Sequence, residues 1–217
     1  MPGEIKSHFI PGPVGRLEAL LNAGEPEASH CALVCHPHPV YGGRMHNKVV
    51  FALTKALNGL GYPVLRFNFR GADLSEGQHD FGRGEVEDVR AGLDWLDHEF
   101  HLPIIFAGFS FGAATGMRAA CPDARVVALI AAGTPVSVED RVYDYSFLHG
   151  CNKPKLFISG SEDEHGPQAE LEKIVAVAAE PKKFVLVEGV DHYFAGKLDE
   201  VRKAVEVWMR ETLGMTR

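Results

Sequence analysis

Six short apolar runs constrain the fold of this chain more than any other feature of its sequence. Each run has five to eight residues, and most are nearly continuous in Val, Ile, Leu, Phe and Ala, without the alternation that a half-exposed strand shows. Continuous runs of this length are typical of strands that helices cover on both faces, as in a parallel sheet. The runs occupy residues 31–35, 62–69, 103–109, 126–133, 155–160 and 184–189.

The segments between the runs carry helical periodicity. Residues Glu85–Phe100 place apolar side chains three or four positions apart, and a segment near the C-terminus repeats this spacing. Residues 47–61 form a third helical segment, whose final glycine is suited to a helix C-cap. The apolar positions of the first two segments are Val86, Val89, Leu93, Leu96 and Phe100, then Leu198, Val201, Val205 and Trp208.

Before the first run, two further strands are predicted at Ile5–Ile10 and Leu17–Ala23, joined by the turn-forming sequence PGPVG. A hairpin followed by alternating strands and helices predicts an α/β fold, an open and mostly parallel sheet of about eight strands with helices on both faces. With 217 residues, of which 46% are apolar, the chain is predicted to form a single domain spanning 1–217. Functional residues of such sheets gather at the carboxyl ends of the strands.

The charge of the chain excludes several classes of partner. A formal net charge of −7 argues against nucleic-acid binding, which requires a basic face. The N-terminal segment lacks the apolar core of a signal peptide, and no run approaches the ~20 residues of a membrane span. We therefore predict a cytoplasmic protein that does not contact membranes. Because that compartment is reducing, the cysteines are expected to be free thiols rather than disulfides. The four cysteines are Cys31, Cys35, Cys121 and Cys151.

The loop after the run at 103–109 contains the sequence GFSFG, a G-x-S-x-G motif centred on Ser110. It follows a predicted strand and opens a predicted helix, which is the setting of a nucleophile elbow. So tight a turn excludes bulky side chains two positions either side of the serine, and Gly108 and Gly112 meet this requirement. The setting favours a nucleophilic Ser110 over the alternative, a glycine-rich loop with a surface serine.

A serine needs a base oriented by a third group to act as a nucleophile near neutral pH. The candidate base is His192, which follows the last apolar run, and the chain order Ser, acid, His is the order expected for this fold. Three acids follow the run at 155–160: Glu162, Asp163 and Glu164. Asp163 is favoured by its distance from the strand end. Asp191 adjoins the histidine but is disfavoured, because neighbouring side chains point in different directions.

Together these stretches resemble the α/β-hydrolase superfamily, and more closely its small, lidless bacterial members, the dienelactone-hydrolase-like and predicted-hydrolase groups. The resemblance rests on HPHPVYGGRMHNKVV, VLRFNFRGADLSEG, GFSFGAA, SGSEDEH and EGVDHYF. It implies the fold, without a cap domain, and a Ser–acid–His mechanism, but no substrate. Dienelactone hydrolases proper use a cysteine where this chain has Ser110. Relatives often continue the FRG segment with glycine and serine, and Arg70 and Asp73 are interpreted here as shaping that loop.

The sequence HPHPVYGG follows the first apolar run. In α/β-hydrolases the loop at this place supplies one half of the oxyanion hole, and the N–H of the residue after the nucleophile, here Phe111, supplies the other. Proline has no N–H, so Pro37 and Pro39 cannot donate. Of the two histidines that remain in HPHP, the resemblance assigns the amide of His38, because it occupies the place of the residue after HG in the commoner form of the loop.

A metal site is the rival interpretation of this loop, because an H-x-H pair on an extended chain places both rings on one side. The metallo-hydrolase pattern H-x-H-x-D-H would need Asp and His where this chain has Val40 and Tyr41. A TIM-barrel amidohydrolase typically needs about 250 residues. We therefore expect no metal and no other cofactor. Gly42 and Gly43 are interpreted as turn positions, and Asn47 as the cap of the next helix.

The sequence thus predicts a serine hydrolase that cleaves a small-molecule carboxylic ester, or next a thioester or amide, through an acyl-enzyme. Acyl transfer and peptide-bond cleavage are alternatives on the same residues, and a non-catalytic binding domain that keeps the fold is the alternative of another class. Assembly into a homo-oligomer is left open. Aromatic residues that either wall an acyl pocket or pack in the core are Tyr41, Phe109, Phe111, Tyr193 and Phe194.

Overall fold

The computed structural model describes residues 4–138 and 141–214 and contains an eight-stranded sheet covered by helices on both faces, which confirms the predicted fold class. A further pair of short strands, β7 and β8, lies outside this sheet. The strands are β1 (Ile5–Gly12), β2 (Gly15–Asn22), β3 (Cys31–Cys35), β4 (Val64–Phe67), β5 (Ile104–Phe109), β6 (Val126–Ala132), β7 (Ser137–Val138), β8 (Arg141–Val142), β9 (Lys155–Gly160) and β10 (Lys182–Val187).

Helices connect most of the parallel strands. In the part of the chain that the structure describes, no helix has the length and apolar character of a membrane span. Two short 3-10 helices precede α1 and β9, at Pro39–Tyr41 and Ser146–Gly150. The α-helices are α1 (Lys48–Asn58), α2 (Gly84–Phe100), α3 (Phe111–Ala120), α4 (Gln168–Val177) and α5 (Leu198–Leu213).

The strands of the main sheet lie in the order β1-β2-β4-β3-β5-β6-β9-β10. The first two pairings are antiparallel, and every pairing from β4 to β10 is parallel. The chain passes from β3 to β4 in one direction and then returns past β3 to β5. The carboxyl ends of β3 and β5 therefore form a topological switch point, the usual place for a ligand crevice in such sheets.

The core has two parts, one on each face of the sheet. Helices α2, α3 and α4 pack over one face, and α1 and α5 over the other. Successive residues of β3 alternate between these two clusters: Leu33 and Cys35 belong to the first, Ala32 and Val34 to the second. Because both faces are covered, every residue of β3 is apolar and buried, which explains the continuous apolar runs.

Some helix boundaries differ from the sequence prediction. Helix α1 ends at Asn58 rather than at Gly61, which lies beyond it with a left-handed φ of 89°. Asn47 caps α1 as predicted, since its side-chain oxygen accepts a backbone N–H of the first turn at 2.8 Å. Helix α4 was not predicted, because it buries only Leu171 and Val175 and shows a weak apolar stripe in the sequence.

The expectation that all four cysteines are free thiols is wrong for two of them. Cys121 and Cys151 form a disulfide with Cα atoms 5.6 Å apart, which links the end of α3 to the segment before β9. The two residues are 30 positions apart, and only the tertiary fold brings them together. Cys31 and Cys35 are free thiols, buried in β3, as expected.

Candidate active site

Ser110 lies at the turn between β5 and α3. Its φ of 55° and ψ of −123° are values that residues with a Cβ atom rarely adopt. Its backbone N–H donates to the carbonyl of Ala132 at the end of β6, at 2.9 Å, which helps hold the turn in this conformation. Helix α3 begins at the next residue, Phe111. The strand–turn–helix arrangement expected of the G-x-S-x-G motif is therefore present.

The two glycines of the motif allow close backbone contacts on either side of this turn. A Cβ atom on Gly108 would lie 2.6 Å from the backbone nitrogen of Ala113 in the first turn of α3. A Cβ atom on Gly112 would lie 2.4 Å from the carbonyl oxygen of His36. The second contact shows that α3 packs directly against the loop after β3. Gly108 thus allows the tight turn, and Gly112 allows the turn to pack against the HPHPVYGG loop.

The side chains of Ser110, His192 and Asp163 form one hydrogen-bonded series. Oγ of Ser110 lies 2.9 Å from Nε2 of His192, and Nδ1 of His192 lies 2.9 Å from both carboxylate oxygens of Asp163. A carboxylate only accepts, so in the neutral ring Nδ1 carries the proton and Nε2 accepts from the serine hydroxyl. His192 and Asp163 are 2% and 4% exposed, so little water competes with these bonds.

Asp163 is held in its ionised form by its surroundings. Burial by itself raises the pKa of this carboxyl, but the hydrogen bond from His192, the attraction to its ring and two backbone hydrogen bonds together lower the pKa overall. Oδ1 also accepts the backbone N–H groups of His165 and Gly166, at 2.9 and 3.0 Å. These bonds fix the carboxylate where it orients the imidazole.

The structure brings none of the other candidate acids into this series. Glu162 and Glu164 are exposed on the loop after β9. Asp191 closes the turn after β10, because its Oδ1 accepts the backbone N–H groups of Tyr193 and Ala195 at 3.0 and 3.2 Å. The carboxylate adjacent to the histidine in sequence therefore shapes the loop that presents the ring.

His38 lies on the wall of the cavity that also contains Ser110. Its ring centroid is 4.6 Å from that of Phe111 and 4.8 Å from that of Tyr41. The ring nitrogen Nδ1 accepts the backbone N–H of Val40 at 3.3 Å, which caps the short helix Pro39–Tyr41. Both residues assigned to the oxyanion hole, His38 and Phe111, are thus close to the serine turn.

His36 is fully buried, and its ring bonds to two backbone groups. Nε2 accepts the N–H of Phe69 at 2.9 Å, so Nδ1 carries the proton and donates to the carbonyl of Pro37 at 2.6 Å. Burial lowers the pKa of His36 to about 3, which keeps the ring neutral near pH 7. From the sequence, this ring was considered only as half of an H-x-H metal pair, and its amide as an alternative oxyanion donor. No sequence pattern reveals these partners, because both are backbone atoms.

Arg44 braces the same loop from its other end. Its Nη1 donates to the carbonyl of Pro39 at 2.9 Å, and its Nε donates to Asp73 Oδ1 at 2.7 Å. Asp73 Oδ2 also accepts Nδ2 of Asn68 at 3.1 Å, so Asp73 shapes the FRG loop, as interpreted from the sequence, and ties it to the HPHPVYGG loop. Arg70 lies apart from this brace, in a buried pair with Asp88 at 2.7 Å.

A cavity of about 480 Å³ opens beside Ser110. Of the aromatic residues considered for the pocket, Tyr41 and Tyr193 line this cavity, whereas the three phenylalanines are fully buried in the core. Val138 and Tyr143 also line it, from the β7–β8 region, where the sequence predicts no element. The three phenylalanines are Phe109, Phe111 and Phe194.

The rings of His36 and His38 do not converge on a common point. His36 bonds to backbone groups in the core, and His38 faces the cavity. Within residues 4–138 and 141–214, no three His, Cys, Asp or Glu side chains are grouped so that they could hold a metal ion. The turn requires a glycine at position 43, as predicted, because a Cβ atom there would lie 2.2 Å from the carbonyl oxygen of Pro37.

Comparison with known proteins places this geometry in a family. A profile described as "Alpha/beta hydrolase domain" matches residues 31–213. An α/β serine hydrolase homologue from Coxiella burnetii is 39% identical, with a TM-score of 0.86 over 93% of this chain and 96% of its own. A lidless α/β serine hydrolase from Xanthomonas campestris is 33% identical, with a TM-score of 0.88. The match covers 100% of this chain and 99% of the Xanthomonas chain. An uncharacterized protein from Rickettsia prowazekii is 34% identical over 93% of this chain and 87% of its own length.

Proposed function

The chain belongs to the α/β-hydrolase family, and from that premise we propose that it is a serine hydrolase that cleaves carboxylic esters of small molecules through an acyl-enzyme. The observation that carries the proposal is the unbroken hydrogen-bonded series from Ser110 through His192 to Asp163. A serine hydroxyl, an imidazole and an ionised carboxylate in this order are the parts that activate a serine for acyl transfer.

In the first step, Oγ of Ser110 attacks the ester carbonyl while its proton passes to Nε2 of His192. Asp163 stabilises the imidazolium that forms and holds the ring with Nε2 toward the serine. The imidazolium then gives its proton to the leaving alkoxide as the C–O bond breaks. The acyl group remains on Ser110, and the alcohol departs.

The tetrahedral intermediate carries negative charge on the former carbonyl oxygen. We assign its stabilisation to the backbone N–H groups of Phe111 and His38, which flank the serine turn. In the second half of the reaction, His192 takes a proton from water, whose oxygen attacks the acyl-enzyme. Return of that proton to Ser110 releases the acid and restores the starting state. No step in this sequence needs a cofactor.

Labelling with a fluorophosphonate probe tests the proposed nucleophile. We expect the wild type to react and Ser110→Ala to show no labelling, because phosphonylation requires the activated hydroxyl. Ser29→Ala is the matched control, since Ser29 is exposed on the loop before β3 and should label like the wild type. Absence of labelling in the wild type would favour a non-catalytic binding domain.

The bond class is tested with substrates that share an acyl group. Hexanoate presented as an ester, a thioester and an amide should rank with the ester first, and the ratio of kcat/KM measures the preference. Product analysis with added alcohol separates hydrolysis from acyl transfer, since transfer would yield a new ester. A higher kcat/KM for the amide would replace the esterase proposal with an amidase.

The cytoplasmic location is also a proposal. The buried thiols of Cys31 and Cys35 support it, whereas the Cys121–Cys151 disulfide is a bond that persists mainly in oxidising compartments. Cell fractionation, combined with alkylation of free thiols before lysis, decides between the two. Protection of Cys121 from alkylation together with a periplasmic or secreted fraction would contradict the cytoplasmic location.

A further inference from the structure

Aromatic side chains dominate the walls of the cavity beside Ser110. Among its described lining residues, Val138 is the one branched aliphatic side chain, and six residues carry aromatic rings. They come from the loop after β3, from the β7–β8 region, and from the loops after β9 and β10. The six are His38, Tyr41, Tyr143, His165, His192 and Tyr193.

The rings contact one another within two groups. In the loop after β3, the ring centroids of His38 and Tyr41 are 4.8 Å apart. Across the loops after β9 and β10, the centroid of His192 lies 4.7 Å from that of His165 and 5.4 Å from that of Tyr193. These separations are those at which aromatic rings make offset or edge-to-face contacts. Ring faces and edges therefore form a large part of the surface that a ligand meets.

This surface discriminates between the arms that an ester can carry. Flexible acyl chains are matched by adaptable aliphatic walls of Leu, Ile and Met, which this cavity lacks among its described lining residues. A planar ring gains contacts with other rings beyond those due to buried area. We infer that the ester taken by this site carries a planar aromatic group on one of its arms, an inference that rests on the proposed hydrolase function. The cavity volume of about 480 Å³ accommodates such a group beside the ester bond.

Pairs of esters that differ only in the planarity of a ring test this inference. Methyl 3-phenylpropanoate and methyl 3-cyclohexylpropanoate vary the acyl arm, and benzyl acetate and cyclohexylmethyl acetate vary the alcohol arm. In the acyl pair, two methylene groups separate the carbonyl from the ring, so the ring has little electronic effect on the ester bond. In both pairs, kcat/KM is divided by the rate of alkaline hydrolysis to correct for the intrinsic reactivity of each ester. We expect kcat/KM for the aromatic member of one pair to exceed that of its partner by about 2- to 12-fold.

Two variants of Tyr193 connect the preference to the cavity wall. Tyr193 is half exposed and lies beside His192, so Tyr193→Phe keeps the ring and Tyr193→Leu removes it. The aromatic preference should persist in Tyr193→Phe and shrink in Tyr193→Leu. Equal rates within both pairs, or a preference for the saturated members, would overturn the inference. Labelling of Ser110 by a fluorophosphonate is independent of this ratio, so such a result would leave the hydrolase proposal standing.

The buried ring of His36 lies two residues before the assigned donor His38. Its Nδ1–H donates to the carbonyl of Pro37, and that carbonyl belongs to the same peptide unit as the N–H of His38. The Pro37–His38 peptide is trans, and in a planar trans peptide the C=O and N–H point in opposite directions. A hydrogen bond that fixes the carbonyl toward His36 therefore fixes the N–H of His38 away from it.

The second bond of His36 anchors the ring itself. Nε2 accepts the N–H of Phe69, just beyond β4, so the imidazole bridges the loops after two adjacent strands of the sheet. We propose that His36 is a positioning residue, which aims the His38 amide at the oxyanion through the Pro37 carbonyl. This assignment also depends on the proposed function. The ring of His36 bonds to backbone groups and does not contact the reacting atoms.

Two substitutions separate the roles of the two ring nitrogens. The amide nitrogen of an asparagine can replace Nδ1 as a donor, whereas a glutamine side chain reaches the place of Nε2. We expect His36→Gln to lower kcat by about 10²-fold, the loss typical of an oxyanion donor, with KM little changed. His36→Asn keeps the donor to Pro37 and should retain a kcat at least about tenfold above that of His36→Gln.

Thermal unfolding of both variants separates positioning from folding. Each variant loses one of the two buried bonds, so both are expected to melt below the wild type. Equal kcat losses in His36→Asn and His36→Gln, or losses that track the melting temperatures, would show a purely structural role and overturn the proposal. Failure of the wild type to react with the fluorophosphonate probe would instead count against the hydrolase proposal itself.

Discussion

The buried ring of His36 predicts that acid weakens this fold in a measurable way. In an unfolded chain the histidine titrates near 6.5, whereas burial lowers the pKa of His36 to about 3 in the folded protein. Between these values the unfolded state binds a proton that the folded state excludes. The free energy of unfolding therefore falls as the pH drops below the unfolded pKa, and this loss ends only near the folded pKa.

The two pKa values set the size of the effect. One pKa unit corresponds to about 1.4 kcal/mol, so His36 by itself should lower the free energy of unfolding by about 2 kcal/mol between pH 7 and pH 5. That is a large part of the roughly 5–15 kcal/mol that stabilises a typical domain. Carboxylates with a lowered pKa, such as Asp163, act below this range, because their unfolded pKa lies near 4.

Urea unfolding at the two pH values measures the effect, with the fluorescence of Trp95 and Trp208 as the signal. His36→Asn is the reference, since it removes the titrating ring and leaves other groups unchanged. The wild type should lose about 2 kcal/mol more than the variant on acidification from pH 7 to pH 5. Equal losses in the two proteins would refute the reasoning, because they would show that His36 takes up its proton equally in the folded and unfolded states.

Three further predictions concern the site and its supports. Asp163→Asn should lower kcat by about 10³–10⁴-fold in ester assays, because the amide no longer orients and stabilises the imidazolium, while Glu164→Gln on the same loop should stay near the wild-type rate. Gly112→Ala should lower the melting temperature, since its Cβ would lie 2.4 Å from a carbonyl oxygen, whereas Gly150→Ala meets open space and serves as the control. Cys121→Ser should lower the free energy of unfolding by about 2–4 kcal/mol in denaturant titrations, and dithiothreitol should then destabilise only the wild type.

The sheet was predictable because its strands are covered on both faces. A strand such as β5 is buried along its whole length, so its residues are apolar throughout and its position can be identified in the sequence. The edge strand β10 was placed two positions too late, since it begins with Lys182 and Lys183 and is only partly buried. The short strand β7 buries little and leaves no apolar run to detect.

In the candidate site, too, features set by neighbouring residues could be predicted, whereas features set by tertiary packing could not. The elbow around Ser110 is local, because the turn dictates which residues fit on either side of the serine. The choice of Asp163 over its neighbours depended on distance from a strand end, and the structure brings this acid to His192. The pairing of Cys121 with Cys151 had no local signal, since only the packing of α3 against the segment before β9 joins them.

The HPHPVYGG loop shows why counting histidines misleads when their backbone context is ignored. Pro37 and Pro39 lack N–H groups and restrict φ, so the amide of His38 stands between two positions that cannot donate. A neutral His36 donates to the carbonyl of Pro37 in the tautomer that carries the proton on Nδ1, and the N–H of Phe69 favours that tautomer by donating to Nε2. A metal bound at Nε2 would displace this N–H and leave it buried without a partner, which carries a free-energy cost. The bonding of the loop therefore favours orientation of one amide over metal binding.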